Sequence, residues 1–513
     1  MLWLTWATAN ACLWMNDVAA AWMMTSLTTK PIWVALVATA STLPVFLLGL
    51  PSGALADILD RKRFFLMTQL WVALVAVVLS VTVFTGVITP AILLTLTFAN
   101  GIGLALRWPV YSAIVPELVP REKLPAALAL NGIAMNASRI AGPLIAGALI
   151  ASFGSAYVFM LNAVLSLGAA WTISRWRRTV QPPPLGPEKL LGAIRVGLQF
   201  AGQSSHLKGV LVQISLFFFH STALLALLPL VARGLDGGGA GTYTSLLAAM
   251  GSGAIVAALY MPRLRQLWSR DGLVGRGSLV QSVSMLVVAA SPNAWFALPA
   301  MFALGTAWIT TANALSVSLQ MGLPNWVRAR CMSMYQMAIM GASALGAATW
   351  GQVATVFTVN TSIVVGATSG LATMWLAIWR MKDQRLEADL EDLTPTNSFN
   401  APVAESPPAT GHVQTSVEYV IDPLRADAFR ALMQDSRSSR LRHGALAWEL
   451  LRDVSRAGHY IEQITEASWT EHLRRFERVT AADAALRDRK LAFHIGEQPV
   501  RVTRTVIEST EKS

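Results

Sequence analysis

The sequence predicts an all-α membrane protein of twelve transmembrane helices in two six-helix bundles, followed by a small soluble α+β domain with a ferredoxin-like order. Three observations predict it. The 513 residues are 54 % hydrophobic and only 13 % charged, which is too apolar for an ordinary soluble protein of that length. Apolar stretches of about 20 residues, the length that crosses a bilayer, recur twelve times. After residue 381 the composition changes to that of a soluble chain.

The first six spans fall near 2–26, 31–56, 64–88, 90–115, 125–152 and 155–175. The second six fall near 209–232, 240–262, 272–291, 294–319, 329–355 and 359–380. The first is not a secretory leader, because it has no basic lead-in and Asn10, Asn16 and Asp17 interrupt it. The bundles are expected at 1–176 and 209–381, with a cytoplasmic linker at 177–208 between them. That linker opens on Arg175-Trp-Arg-Arg and Gln181-Pro-Pro-Pro, where helices stop. From Glu188 its apolar residues return at helical spacing, as in a helix lying along the membrane surface.

The net charge of +11 divides unevenly. Residues 1–381 hold 22 Lys/Arg and 8 Asp/Glu, and residues 382–513 hold 18 and 21. The basic excess therefore belongs to the short loops between spans, where it marks the cytoplasmic side, and nucleic acid is excluded as a partner. With the N-terminus inside, Arg61, Lys62, Arg63, Arg121, Lys123, Arg263, Arg265, Arg328 and Arg330 are among eighteen cytoplasmic cations, against Lys30 and Arg233 outside. Both termini are expected in the cytoplasm and the chain in a plasma membrane, the inner one of a bacterium. Cys12 and Cys331 form neither a disulfide framework nor a metal site, and no cofactor, metal or catalytic set is expected.

The halves echo each other. Pro51-Ser-Gly-Ala-Leu ahead of Arg61 answers Gly251-Ser-Gly-Ala-Ile ahead of Arg263. Such internal repeats build many secondary transporters, with the substrate site between them.

The loop Gly53-Ala-Leu-Ala-Asp57-Ile-Leu-Asp60-Arg61-Lys62-Arg63 joins a packing glycine, a helix-end carboxylate and a basic anchor. It resembles the signature loop of the major facilitator superfamily, where the acid and the base help latch the cytoplasmic side. Asp60 stands where that family carries a second glycine, a form similar to the branch containing the enterobactin exporter. The fifth span adds Asn131, Asn136, Arg139, Gly142, Pro143 and Gly147. Pro143 bends that helix and the glycines allow close packing; the Gly-Pro pair resembles the antiporter motif. Arg107-Trp-Pro, Val115-Pro-Glu-Leu-Val-Pro-Arg and Pro324-Asn-Trp-Val-Arg-Ala-Arg support the same resemblance. It implies a major facilitator fold that exports a small molecule, a siderophore, drug or metabolite, by alternating access and in exchange for protons. The absence of a Gly-x-x-x-x-Gly-Lys-Ser/Thr loop from the sequence excludes a P-loop ATPase. A second reading makes the spans an anchor for a sensor or enzyme in the tail.

Within the spans, Asp17 lies roughly 22 Å along the first helix at about 1.5 Å per residue, and Arg139 lies at a similar height on the fifth. A charge at that depth needs a partner or water, so the two are expected to form a switchable pair, with Asp17 carrying the proton. His220 is a candidate relay through its pKa near about 6.5. Arg107, Asn136, Gln281, Asn313, Gln320 and Gln336 are candidate cavity-lining residues.

Beyond a polar tether at 382–412, residues 413–510 read as strand, helix, strand, strand, helix, strand, the split ferredoxin-like order. Ser468-Trp-Thr-Glu-His472-Leu-Arg-Arg-Phe carries a resemblance to small dimeric α/β-barrel domains, which implies self-association. His472, Trp469, Trp448 and His459 are the residues an active cleft there would use.

Overall fold

A computed structural model of the chain describes residues 2–118, 123–176, 190–381, 396, 402 and 411–507. The linker 177–189 and nearly all of the tether 382–412 lie outside the described residues. The first six helices are α1 (Leu2–Leu27), α2 (Pro31–Ile58), α3 (Arg61–Phe84), α4 (Pro90–Leu118), α5 (Leu124–Phe153) and α6 (Ser155–Arg175). A short amphipathic helix α7 (Leu190–Gln203) precedes α8 (Ser205–Leu225), α9 (Leu228–Gly234), α10 (Ala240–Leu267), α11 (Arg270–Ala290), α12 (Ala294–Met321), α13 (Asn325–Val356) and α14 (Val359–Arg380).

Nine membrane-length apolar spans stand among the described residues, with α8 and α9 counting as one. The other long helices are α1, α5 and α13; α1 is diluted by Asn10, Asn16 and Asp17, and α13 by Arg328, Arg330 and Gln336. The seventh span is not continuous. Pro229 has no N–H and its ring crowds the carbonyl four residues earlier, so the helix breaks at Ala226 and Leu227 and restarts with Leu230 and Val231 both donating to the Leu227 carbonyl.

Helix ends follow local chemistry. Asp60 caps α3, its carboxylate accepting the Arg63 N–H at 2.8 Å, and Ser269 caps α11 in the corresponding loop of the second half. The sharp turn from α5 to α6 is made by Gly154 at φ +95°, where a side chain would be strained.

The chain divides into two compact units. The first comprises residues 1–187, 211–318 and 333–380. One of its cores stacks Trp6 on Tyr111, rings parallel at 3.7 Å, among Phe64, Phe65, Val110, Ile114 and Ile173.

The second unit comprises residues 188–210, 319–332 and 381–513. It therefore holds α7 and the residues joining α12 to α13 together with the tail domain, a grouping the sequence reading did not anticipate. The domain runs β1 (His412–Val420), α15 (Ala426–Arg442), β2 (Ala447–Arg452), β3 (His459–Glu466), α16 (Trp469–Glu477), α17 (Ala481–Leu491) and β4 (Arg501–Ile507). Its four-stranded sheet has the order β2-β3-β1-β4 with every neighbouring pair antiparallel. Alternate residues of β1 and β3 are buried, as expected for a sheet covered on one face. Val417, Tyr419, Phe429, Met433 and Tyr460 form the core beneath.

Candidate functional site

The polar residues of the helical unit come together chiefly around α1. Asp17 has one carboxylate oxygen buried without a hydrogen-bond partner, and the buried Tyr243 of α10 lies within electrostatic reach of it. No ion pair joins Asp17 to Arg139 in this conformation. The Arg139 guanidinium instead lies 3.5 Å over the ring of Trp308 on α12 and 5.1 Å from that of Trp14 on α1. An aromatic face attracts a desolvated cation, and Gly142 lets Trp14 approach, because a Cβ there would meet the Trp14 Cβ at 2.6 Å.

Further along α1, Asn16 accepts from Asn162 of α6 at 3.4 Å, and the Ser166 hydroxyl donates to Asn162 at 3.2 Å. Beside them Arg107 of α4 is 3 % exposed and makes one long hydrogen bond, 3.4 Å, to the Ala9 carbonyl. A small pocket between α1, α3, α4 and α6 is lined by Arg107, Asn100, Asn162, Cys12 and Val72. Asn131 accepts the Tyr111 hydroxyl at 2.9 Å. The side chain of Asn136 lies outside the described residues.

The second-half candidates are dispersed. His220 is buried, with Nδ1 2.8 Å from the Leu216 carbonyl and Gly370 against its ring. Gln281 accepts the Ser221 hydroxyl at 2.8 Å and so ties α11 to α8. Asn313 accepts from Arg265, tying α12 to α10. Gln320 is exposed and Gln336 half-buried.

The helix-bend residues serve two surfaces. Gly142 faces α1 as above, and Gly147 faces α10, where a Cβ would lie 2.3 Å from Thr244 Oγ1. Gly251 on α10 likewise faces Ile140. The companion crossing, α2 on α13, is equally close: Gly351 meets Ala35, Gly341 meets Phe46, and Thr39 donates to the Ala344 carbonyl at 2.9 Å. Arg233 of α9, counted only as a loop cation from the sequence, donates to the Thr25 carbonyl at 2.8 Å and lies 4.9 Å over Trp22. It clasps the end of α1 to the second half. At the loop from α2 to α3, Arg61, Lys62 and Arg63 form the first turn of α3 beneath the Asp60 cap, while the Gly53 and Asp57 side positions lie outside the described residues.

In the tail domain the charges are inside. Glu462 is fully buried and accepts from Ser436, Trp448, Tyr419 and Lys490, the last at 3.0 Å. Burial pushes its carboxyl up, but Lys490 and then Arg440 outweigh that and hold it far below the usual range. Burial lowers Lys490 to about 8. Glu466 holds His472 and Arg475, and Arg504 donates to the other His472 nitrogen at 3.2 Å. His472 is thus fully buried in an ion network, Trp448 is committed to Glu462, and His459 lies between Glu418 and Asp453. Burial also lowers His443 to about 4, outweighing the pull of Asp483 at 3.4 Å. Among the described residues no three His, Cys, Asp or Glu side chains gather as a metal site.

A family model described as "Transmembrane secretion effector" matches residues 1–512. The chain is similar to the staphyloferrin A transporter of Staphylococcus aureus, 21 % identical over 74 % of this chain and 94 % of that protein. It is also similar to macrolide efflux protein A of Streptococcus pyogenes, 22 % identical over 50 % of this chain and 63 % of that one. Among solved structures, the nucleoside transporter NupG superposes with a TM-score of 0.62 at 12 % identity, over 74 % of this chain and 100 % of the other. The chain belongs to the transmembrane secretion effectors of the major facilitator superfamily, and is a multi-pass membrane transporter, not an enzyme.

Proposed function

We propose that this transporter exports a small molecule across the bacterial inner membrane by alternating access of two six-helix bundles, in exchange for protons, with both termini cytoplasmic. The observation that carries the reading is Asp17: a carboxylate at mid-height of a membrane helix, with a buried oxygen that nothing holds. A group of this kind is costly to keep charged and is retained where it binds a mobile proton. Arg139, already held by Trp308 and Trp14, is the cation that Asp17 would meet when the bundles rock, and His220 is a further relay candidate. The close crossings of α5 on α10 and α2 on α13 serve as the pivot, and Arg233 with Thr25 as the outer clasp. The siderophore and macrolide relatives set the substrate classes to try first. The tail domain, by its strand order and the helix-free face of its sheet, supports self-association of the kind the dimeric barrel resemblance implies.

The test is proton release from reconstituted protein on adding a panel of siderophores and macrolides. Release with one ligand, lost in Asp17→Asn, is expected. Transport by Asp17→Asn with unaltered dependence on the pH gradient removes the proton-carrier role.

A further inference from the structure

We infer that the pocket between α1, α3, α4 and α6 binds a small monovalent anion, a halide or the carboxylate of a small solute, held by Arg107, Asn100 and Asn162. The site lies within the first six helices, and the inference does not depend on what the transporter carries. Arg107 is 3 % exposed and lines the pocket. A guanidinium stays protonated at any physiological pH, and an uncompensated charge away from water costs several kcal/mol. Its compensation inside the chain is poor. The contacts are the long bond to the Ala9 carbonyl at 3.4 Å and the Trp6 ring at 5.7 Å, and Nε has no partner. No carboxylate of the described residues lies within ion-pair distance of it.

The donors beside it point to the same ligand class. Asn100 is 6 % exposed and lines the pocket beside Arg107. Asn162 spends one amide hydrogen on Asn16 at 3.4 Å and keeps the second. A planar guanidinium flanked by amide N–H groups is the donor set that accepts a halide or a carboxylate. The space left between them is about that of one water-sized group, which takes a single small ion or one carboxylate oxygen and excludes a bulky anion. The remaining lining is the Cys12 thiol with the apolar Ala9, Leu13, Val72 and Leu104, so the ion gains strength from a low dielectric.

The experiment is thermal unfolding of the purified full chain in chloride, formate or gluconate at one ionic strength. A ligand that binds only the folded state raises Tm in a saturable way. Chloride or formate is expected to raise Tm over gluconate, with the rise lost in Arg107→Gln. A response to chloride alone identifies an inorganic ion as the occupant, and a response to formate identifies a carboxylate. Equal Tm in the three salts, as when water fills the space, overturns the inference, and so does a rise that survives in Arg107→Gln. Should that variant not fold, Asn100→Ala is expected to shift the midpoint of the salt titration upward about tenfold, and an unchanged midpoint overturns it.

Discussion

The guanidinium of Arg139 on α5 rests 3.5 Å over the ring of Trp308 on α12. A cation of the first six helices is thereby held by an aromatic face of the second six, where an ion pair with Asp17 was the expectation. Cation–π attraction of a desolvated guanidinium is worth about 2 kcal/mol. In a double-mutant cycle of Arg139→Gln and Trp308→Leu, followed by thermal unfolding of the full chain, a coupling of about 1–2 kcal/mol is expected. Additive effects of the two changes would show that the contact is energetically idle.

Close approach of α5 to α10 depends on Gly147. Since a Cβ there would lie 2.3 Å from Thr244 Oγ1, Gly147→Val is expected to push the helices apart and lower Tm, with Thr244→Ala restoring part of the loss. Gly168→Ala on α6, where nothing lies within 4 Å, is the control and should not lower Tm, because alanine favours a helix over glycine.

The buried pair in the tail domain behaves asymmetrically. Removing one charge strands the other, at a cost of about 3–5 kcal/mol, whereas removing both relieves the strain of burying ions. Glu462→Gln or Lys490→Met alone is therefore expected to lower the protection of β1 and β3 amides against exchange in the full chain. The double change should be milder than either.

Acid acts on the same domain in two windows. The folded His443 titrates near about 4, below its ordinary value of about 6.5. Between those values the unfolded chain holds a proton that the folded one refuses, so stability falls as pH drops from about 6.5 to 4. The loss reaches about 3 kcal/mol at about 1.4 per unit. Glu462, Glu466 and Asp483, all held low, add their loss only below the ordinary carboxylate range. His443→Asn is expected to flatten the upper window and leave the lower one, as measured by amide exchange of β1 and β3 against pH.

Legibility in the sequence followed the range of the forces involved. Spans are set by local apolar length, so α2 and α3 fall within a few residues of their expected places. Asp60 looked like a missing glycine, yet its role as a helix cap was readable from an acid directly before Arg61. Helix α17 escaped notice although Thr480 and Asp483 form a capping box at its start, because its alanine-rich run has no strong apolar stripe. Arg233 and Trp308 could not be assigned, since nothing local says which distant backbone or cation a long side chain will meet.

The association of α7 and residues 319–332 with the tail domain bears on how this protein tolerates being shortened. Val196 lies against Gly444, Gln199 donates to the Ala445 carbonyl at 3.1 Å, and Trp326 packs against Phe200, His443 and Arg478. Cutting the chain after residue 381 would uncover this apolar patch, and exposed aromatic surface invites aggregation and quality-control proteolysis. A truncated protein would fail first in its yield, before anything could be learned of its transport.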